Sequence, residues 1–129
     1  MKSIKFFIIS FCLFCAVPLA LAQSAEVPSG IISALNEGDA SQLSGYLNEN
    51  VELVIGTQND VFSKQQATSI IIDFFRKNHV SDFQLLHKGN KDATSFAIGT
   101  LKTTTGSFRV YVLTRNNQIQ QLRIEPSND

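Results

Sequence analysis

Apolar residues follow the period of an amphipathic helix in two segments near the start of the folded region. The first segment begins at Pro28, which favours the first turn of a helix, and Gly38 marks its expected end. The second, "ASQLSGYLN", follows Asp39, a favourable N-cap residue, and places Tyr46 on its apolar face. The pattern therefore predicts two short helices in succession.

A third and longer helix is predicted within "SKQQATSIIIDFFRKN". Ser63, followed three residues later by Gln66, forms a capping box that marks the helix start. The apolar face consists of residues at helical spacing, namely Ala67, Ile70, Ile71, Phe74 and Phe75. Asp73 lies outside this face, with Arg76 and Lys77 one turn later. We therefore expect Asp73 to form exposed ion pairs and not to act as a buried general base.

The apolar period changes from 3.6 to 2 after the third helix, which predicts a run of strands. Four strands are expected at residues 80–88, 93–102, 107–115 and 118–125. The short connections make consecutive strands antiparallel neighbours, so this half forms a meander. "VELVIG" and "VFS" predict an earlier strand and a short returning strand before the third helix. The fold class is therefore α+β, with helices packed on an antiparallel sheet.

The first 22 residues have the organisation of a signal peptide. Lys2 and Lys5 precede an apolar run, and Ala20-Leu21-Ala22 matches a signal peptidase site. We expect residues 1–22 to be removed, residues 23–27 to form a flexible lead, and residues 28–126 to form a single domain. The mature protein would then be exported to the periplasm or the extracellular space. The apolar run is too short for a spanning helix, and no membrane span is expected in the mature chain.

Charge and cysteine usage narrow the classes of partner and cofactor. Both cysteines, Cys12 and Cys15, lie in the leader, so the mature chain has no disulfide and no cysteine nucleophile. The formal net charge of 0 becomes −2 once the two leader lysines are removed, and no basic patch is visible. Nucleic acid is therefore not an expected partner. The two histidines have no acidic residue at matching spacing, so neither a metal site nor a cofactor is predicted.

The order of elements resembles the nuclear transport factor 2-like superfamily, whose members form a cone of helices packed in a curved antiparallel sheet. "ALNEGDASQLSGYLNENVEL" is similar to the helix pair that leads into the first strand of that family, and "VFSKQQATSIIIDFFRKN" to its next helix. The chain looks like the secreted Bacteroidetes family called domain of unknown function 4783 in its leader, its size and its general residue pattern. The resemblance implies the cone fold, but this superfamily includes enzymes, receptors and scaffolds.

Enzymes of this superfamily use an Asp or His base with a Tyr or an acid inside the cone, so the resemblance implies where to look for a pocket. The candidate pocket residues are Tyr46, Phe74, Phe83 and His87. His87 alternates with Phe83 and is expected to point into the cone near its mouth. The residues themselves favour a structural role for both His87 and Tyr46, and no catalytic residue is assigned.

The strand at 107–115 indicates an apolar outer face on the sheet. Its core face is formed by Phe108, Val110 and Val112. The candidate interface on the other face comprises Leu86, Leu101, Arg109, Tyr111 and Leu113, if the register is simple. Superfamily members often dimerise through that face, so the resemblance implies a homodimer.

Three functional hypotheses remain open at this point. The first is a non-catalytic exported binding or interaction module that holds a small apolar ligand or peptide in the cone and dimerises through the outer sheet face. The second is an enzyme like ketosteroid isomerases or dehydratases that uses His87 with Tyr46 or Tyr111. The third is a structural subunit of an envelope assembly, with an envelope protein as its partner and a cone filled by its own side chains.

Overall fold

A computed structural model of the protein describes residues 26–128, which form three helices and six strands. The helices are α1 (Ser29–Glu37), α2 (Ala40–Ser44) and α3 (Lys64–Lys77). The strands are β1 (Leu47–Ile55), β2 (Gln58–Ser63), β3 (Val80–Lys91), β4 (Thr94–Thr103), β5 (Gly106–Arg115) and β6 (Gln118–Pro126). The predicted leader at 1–22 lies outside the described residues. No helix within residues 26–128 is long and apolar enough to cross a membrane.

The first two helices form where the sequence predicts them, but α2 is shorter. Gly38 ends α1 in the left-handed conformation with φ 67°, which a glycine adopts without a steric penalty. Asp39 caps α2, its side chain accepting a hydrogen bond from the Gln42 amide at 3.0 Å. Tyr46 lies beyond this helix, which ends at Ser44, and the Tyr46 carbonyl accepts a hydrogen bond from the Ile119 amide at 2.7 Å. This bond lies at the start of β1, where Leu47 pairs with Ile119 of β6.

The capping box that predicts α3 is present in the structure. The Gln66 amide donates to the Ser63 hydroxyl at 3.2 Å, and the Ser63 amide donates to the Gln66 side chain at 3.1 Å. Asp73 lies on the solvent side, where it forms ion pairs with Arg76 at 2.6 Å and Lys77 at 3.0 Å. Hydrogen bonds from Lys77 and Arg76 hold the pKa of the Asp73 carboxyl below its ordinary value. The expectation of an exposed, paired acid is confirmed.

The six strands form one mixed sheet in the order β2-β1-β6-β5-β4-β3. The four C-terminal strands form the predicted antiparallel meander. The β1–β6 pairing is parallel, and it joins the N-terminal hairpin to the last strand of the chain. The fold is therefore the predicted α+β arrangement of helices on a sheet, with one parallel pairing inside it.

The hydrophobic core lies between the inner face of the sheet and the three helices. Phe74 of α3 packs edge-on against Phe108 of β5, with ring centroids 5.1 Å apart, and against Phe75 at 5.5 Å. The largest fully buried side chains are all aliphatic, including Ile31, Leu35, Leu43, Leu53, Ile71, Leu101, Leu122 and Ile124. Aliphatic side chains and the Phe74–Phe108 pair therefore pack the core between α3 and the sheet.

Candidate binding groove

One wall of the groove is a stripe of side chains along α1. Ser29, Ile32, Ser33 and Asn36 recur at intervals of three and four residues, so they share one face of the helix. This stripe lies beside the buried face of α1, whose core residues are Ile31, Ala34 and Leu35. The helix therefore anchors itself through one face and presents a mixed polar and apolar face to the groove.

The opposite wall of the groove is the inner face of β3, with Ala97 of β4 at its floor. Phe83, Leu85 and Lys88 line this wall, and the open space between the two walls is about 720 Å³. Glu26, Val27 and Pro28 close one end. A groove of this size with an apolar floor and a few polar groups at its rim has the composition of a ligand site.

Helix α1 and strand β3 are tied together by a side-chain hydrogen bond across the groove. The Phe83 amide donates to Oδ1 of Asn36 at 3.2 Å. Phe83 also packs over Gly99 of β4, where a Cβ atom would lie 2.4 Å from the Phe83 ring and 2.5 Å from the Gln84 carbonyl oxygen. The wall is therefore held in place by contacts on both of its sides.

A β-bulge in β3 decides which side chains enter the groove. The pairing with β4 shifts between Leu85 and His87, so one extra residue breaks the strict alternation of sides. Beyond the bulge, Lys88 pairs with Ala97 on the inner face, and His87 pairs with Ile98 on the outer face. The expectation that His87 points into the cone is therefore wrong, because alternation from Phe83 does not continue through the bulge.

The four candidate pocket residues do not form one site. Phe83 lines the groove, while Phe74 lines a separate cavity of about 440 Å³ between α3 and the β1–β2 turn. Asp73 and Lys77 lie at the rim of that second cavity. Tyr46 packs against α1, where a Cβ atom at Gly30 would meet its hydroxyl group.

The outer face of the sheet carries most of the candidate interface residues. Arg109, Tyr111 and Leu113 lie on it, at positions that pair with Thr100, Ile98 and Phe96 of β4. The rings of Phe96 and Tyr111 stack with centroids 6.4 Å apart, and the His87 ring lies 5.5 Å from that of Phe96. An aromatic row therefore crosses β3, β4 and β5 on this face.

Leu86 and Leu101, the two remaining candidate interface residues, have opposite environments. Leu86 is 50% exposed at the bulge. Leu101 is 0% exposed and pairs with Phe83 and Phe108 on the inner face. Its assignment to the outer face is wrong, because the β4–β5 register places it opposite the core residue Phe108.

The groove residues Asn36, Leu85 and Lys88 were not among the candidates predicted from the sequence. The stripe on α1 carried a signal, since its small and polar residues recur at helical spacing beside the apolar ones. Lys88 carried none, because only the bulge brings it onto the same face as Leu85. Within residues 26–128, no three His, Cys, Asp or Glu side chains are grouped so as to hold a metal ion.

Comparison with known proteins gives the chain a family. The family model of the domain of unknown function DUF4783 matches residues 28–125. The chain belongs to this family. A DUF4783 protein from Bacteroides ovatus is 41% identical, covering 82% of this chain and 100% of its own, with a TM-score of 0.76. A DUF4783 protein from Bacteroides uniformis is 34% identical, covering 80% and 99%, with a TM-score of 0.75.

More distant structures place the DUF4783 fold among the nuclear transport factor 2-like folds. A structure described as "Rd1NTF2_04 with long sheet" has a TM-score of 0.59 at 17% identity, covering 74% of this chain and 94% of its own. Likeness at this identity concerns the fold alone. No curated protein sequence matches the chain at a significant level.

Proposed function

We propose that this DUF4783 protein is an exported, non-catalytic binding module that holds its ligand in the groove between α1 and β3. The observation that carries the proposal is the groove itself, a space of about 720 Å³ with Phe83 and Leu85 on one wall and Ala97 at its floor. Lys88 and Asn36 offer polar groups at its rim. Export is supported by the leader pattern in residues 1–22.

The arrangement of the candidate acid–base residues favours binding over catalysis. General acid–base chemistry requires groups within hydrogen-bonding reach of one reacting atom. His87 lies on the outer sheet face, whereas Tyr46 packs against α1. His87 and Tyr111 share the outer face but lie on strands separated by β4, which spaces their main chains about 10 Å apart. The isomerase-like alternative therefore gains no support from this geometry.

A homodimer through the outer sheet face is part of the same proposal. Phe96, Tyr111 and Leu113 supply apolar and aromatic surface there, and an Arg123–Glu125 ion pair at 2.9 Å lies on the neighbouring strand β6. Aromatic and arginine side chains of this kind are enriched at protein interfaces. The third hypothesis, a structural subunit, would use the same face for an envelope protein.

Two adjacent leucines provide a matched test of the groove. Leu85 lines it, while Leu86 is exposed at the bulge and is not among its lining residues. We expect Leu85→Gln to weaken binding of an anilinonaphthalene sulfonate dye severalfold, and Leu86→Gln to leave dye binding unchanged. Equal effects of the two substitutions, or no dye binding by the parent protein, would contradict a ligand site in the groove.

Native mass spectrometry of gently purified protein tests ligand and assembly together. A dimer mass with an additional bound mass is expected, and Leu85→Gln should remove the bound mass while leaving the dimer. Tyr111→Glu, placed on the outer face, should instead dissociate the dimer. A monomer with a bound ligand would support the groove as a ligand site and contradict the proposed dimer.

A further inference from the structure

We infer that Asn36 sets the class of ligand, an uncharged and largely apolar molecule whose carbonyl oxygen accepts a hydrogen bond from the Asn36 side chain. The inference rests on the proposed function and names the chemistry of the molecule held in the groove. Three observations carry it, which are the orientation of the Asn36 carboxamide, the surface around it, and the position of the charged residues at the other end of the groove.

The Asn36 carboxamide is oriented by the main chain of β3. The Phe83 amide donates to Oδ1 of Asn36 at 3.2 Å. A main-chain N–H group can only donate, so it holds the carboxamide oxygen toward β3 and leaves the two N–H donors of Nδ2 on the other side. Because Asn36 lines the groove, a ligand at this end meets a donor that is oriented before binding. Such a donor favours a ligand with an acceptor oxygen.

The surface around Asn36 is mostly apolar. Ile32 and Ser33 precede it by one turn on the same face of α1, and Phe83 and Leu85 lie on the opposite wall. Leu85 is 38% exposed, so its apolar side chain is open to contact with a ligand. An ion held between these walls would lose hydration without an opposite charge among the residues that line this end, which is unfavourable.

The charged side chains of the groove lie away from Asn36. Among the described residues that line the groove, the charged ones are Glu26 and Lys88. Glu26 precedes α1, which rises about 10 Å between Ser29 and Asn36. Lys88 lies about 15 Å along β3 from Phe83. Their opposite signs also leave that end without a net charge. The groove therefore fits an uncharged ligand that has an apolar body and a carbonyl group beside Asn36.

The test compares four small molecules that share a phenylethyl body. They are the ketone benzylacetone, the hydrocarbon butylbenzene, the anion phenylpropanoate and the cation phenylpropylamine. Titrations of the isotope-labelled protein are followed by chemical shifts. We expect benzylacetone to shift the Asn36 side-chain amide protons downfield, and butylbenzene to shift the Leu85 signals without this effect. Tighter binding of either ion than of the ketone, or equal shifts of the Asn36 protons with ketone and hydrocarbon, would overturn the inference.

The substitution Asn36→Asp isolates the donor. Aspartate retains an oxygen that accepts from the Phe83 amide, so hydrogen exchange at Phe83 should stay slow, but it has no N–H donors. Benzylacetone should bind about three- to tenfold more weakly, while the affinity for butylbenzene stays the same. Asn59→Asp is the matched control, because Asn59 is an exposed residue of β2 at the opposite edge of the sheet. Equal changes for ketone and hydrocarbon in Asn36→Asp would overturn the inference.

The dye experiment separates failure of this inference from failure of the proposed function. If dye binding depends on Leu85 and Asn36→Asp does not weaken the ketone, the groove is a ligand site and only the assignment of Asn36 is wrong. If neither the dye nor any of the four molecules binds, both proposals are overturned.

Discussion

The main-chain amides at the two edges of the sheet donate to different kinds of acceptor. On β2, the Val61 amide donates to the Asp60 carboxylate at 2.7 Å, and the Ser63 amide donates to the Gln66 side chain at 3.1 Å. Both acceptors are side chains that lie one to three residues away in sequence from the amide they bind. On β3, an edge strand of 12 residues, the Phe83 amide donates to the Asn36 side chain of α1. Leu85 and Lys88 of the same strand line the groove.

This difference indicates that the β2 edge is closed by side chains close to it in sequence, whereas the β3 edge is met by a side chain of a separate helix. An unprotected edge strand can pair with other chains, and natural proteins shorten, charge or cover such edges. Strand β2 has 6 residues, half the length of β3. The side chains of Asp60 and Gln66 accept hydrogen bonds from two of its amides. Strand β3 carries charge instead, with Lys88 and Lys91 near its C-terminal end.

The largest effect is expected from weakening the support of the β3 edge. Leu101 is fully buried and pairs with Phe83, so Leu101→Ala should lower the free energy of unfolding by about 2–5 kcal/mol. Urea denaturation measures the loss, and hydrogen exchange should show weaker protection in β3 than in β2. Should this variant fail to fold, Leu101→Met is expected to cost less than about 1.5 kcal/mol.

Leu86→Ala is the control for the effect of Leu101, since its side chain is half exposed. It should change the free energy of unfolding by no more than about 0.5 kcal/mol. A cost comparable to that of Leu101→Ala, or equal loss of protection at both edges, would contradict the separate anchoring of β3.

A smaller effect is expected from opening the β2 edge. Asp60→Ala removes the acceptor of the Val61 amide, so exchange at Val61 should accelerate severalfold while stability changes by about 0.5 kcal/mol or less. Asp60→Asn retains an acceptor oxygen and should keep the slower exchange. The same rate in both variants would show that the side chain does not close this edge.

The smallest effect is expected at Asp73, on the helix that covers the β1–β2 side. Its pKa is lowered by Lys77 and Arg76, so the ion pairs stabilise the fold above the ordinary value of 3.8 and are lost as pH falls through the lower folded pKa. Asp73→Asn should therefore lower Tm slightly at pH 7, and this difference should vanish in strong acid. Glu49→Gln removes another exposed carboxylate and controls for the change in net charge. A Tm difference for Asp73→Asn that does not change with pH would refute the ion-pair explanation.

The sequence predicted those parts of the fold that depend on local chemistry. Ser63 and Gln66 located α3, Gly38 located the end of α1, and strict alternation placed Val110 and Val112 in the core. The parallel pairing of β1 with β6 depends on contacts between distant residues, so no local pattern indicates it.

The candidate site was harder to predict because it depends on one extra residue in β3. The bulge after Leu85 turns His87 outward and Lys88 inward, reversing what alternation implies. Leu101 was misplaced for a related reason, since its face follows from the β4–β5 register and not from its own strand. Spacing identified the strands and the core face of β5, but not the faces of His87 in β3 and Leu101 in β4.

The pairing of β1 with β6 also constrains the order in which the chain can fold. Asn48 and Gln120, whose side chains are hydrogen bonded at 3.3 Å, are 72 residues apart. A polypeptide emerges from the ribosome or a translocation pore with its N-terminus first, so β1 and β2 appear long before their neighbour β6. The β1–β2 hairpin cannot join the meander until the last strand has emerged. A chain that stops before β6 would therefore lack the strand that joins β1 to β5, which would leave the sheet in two separate pieces.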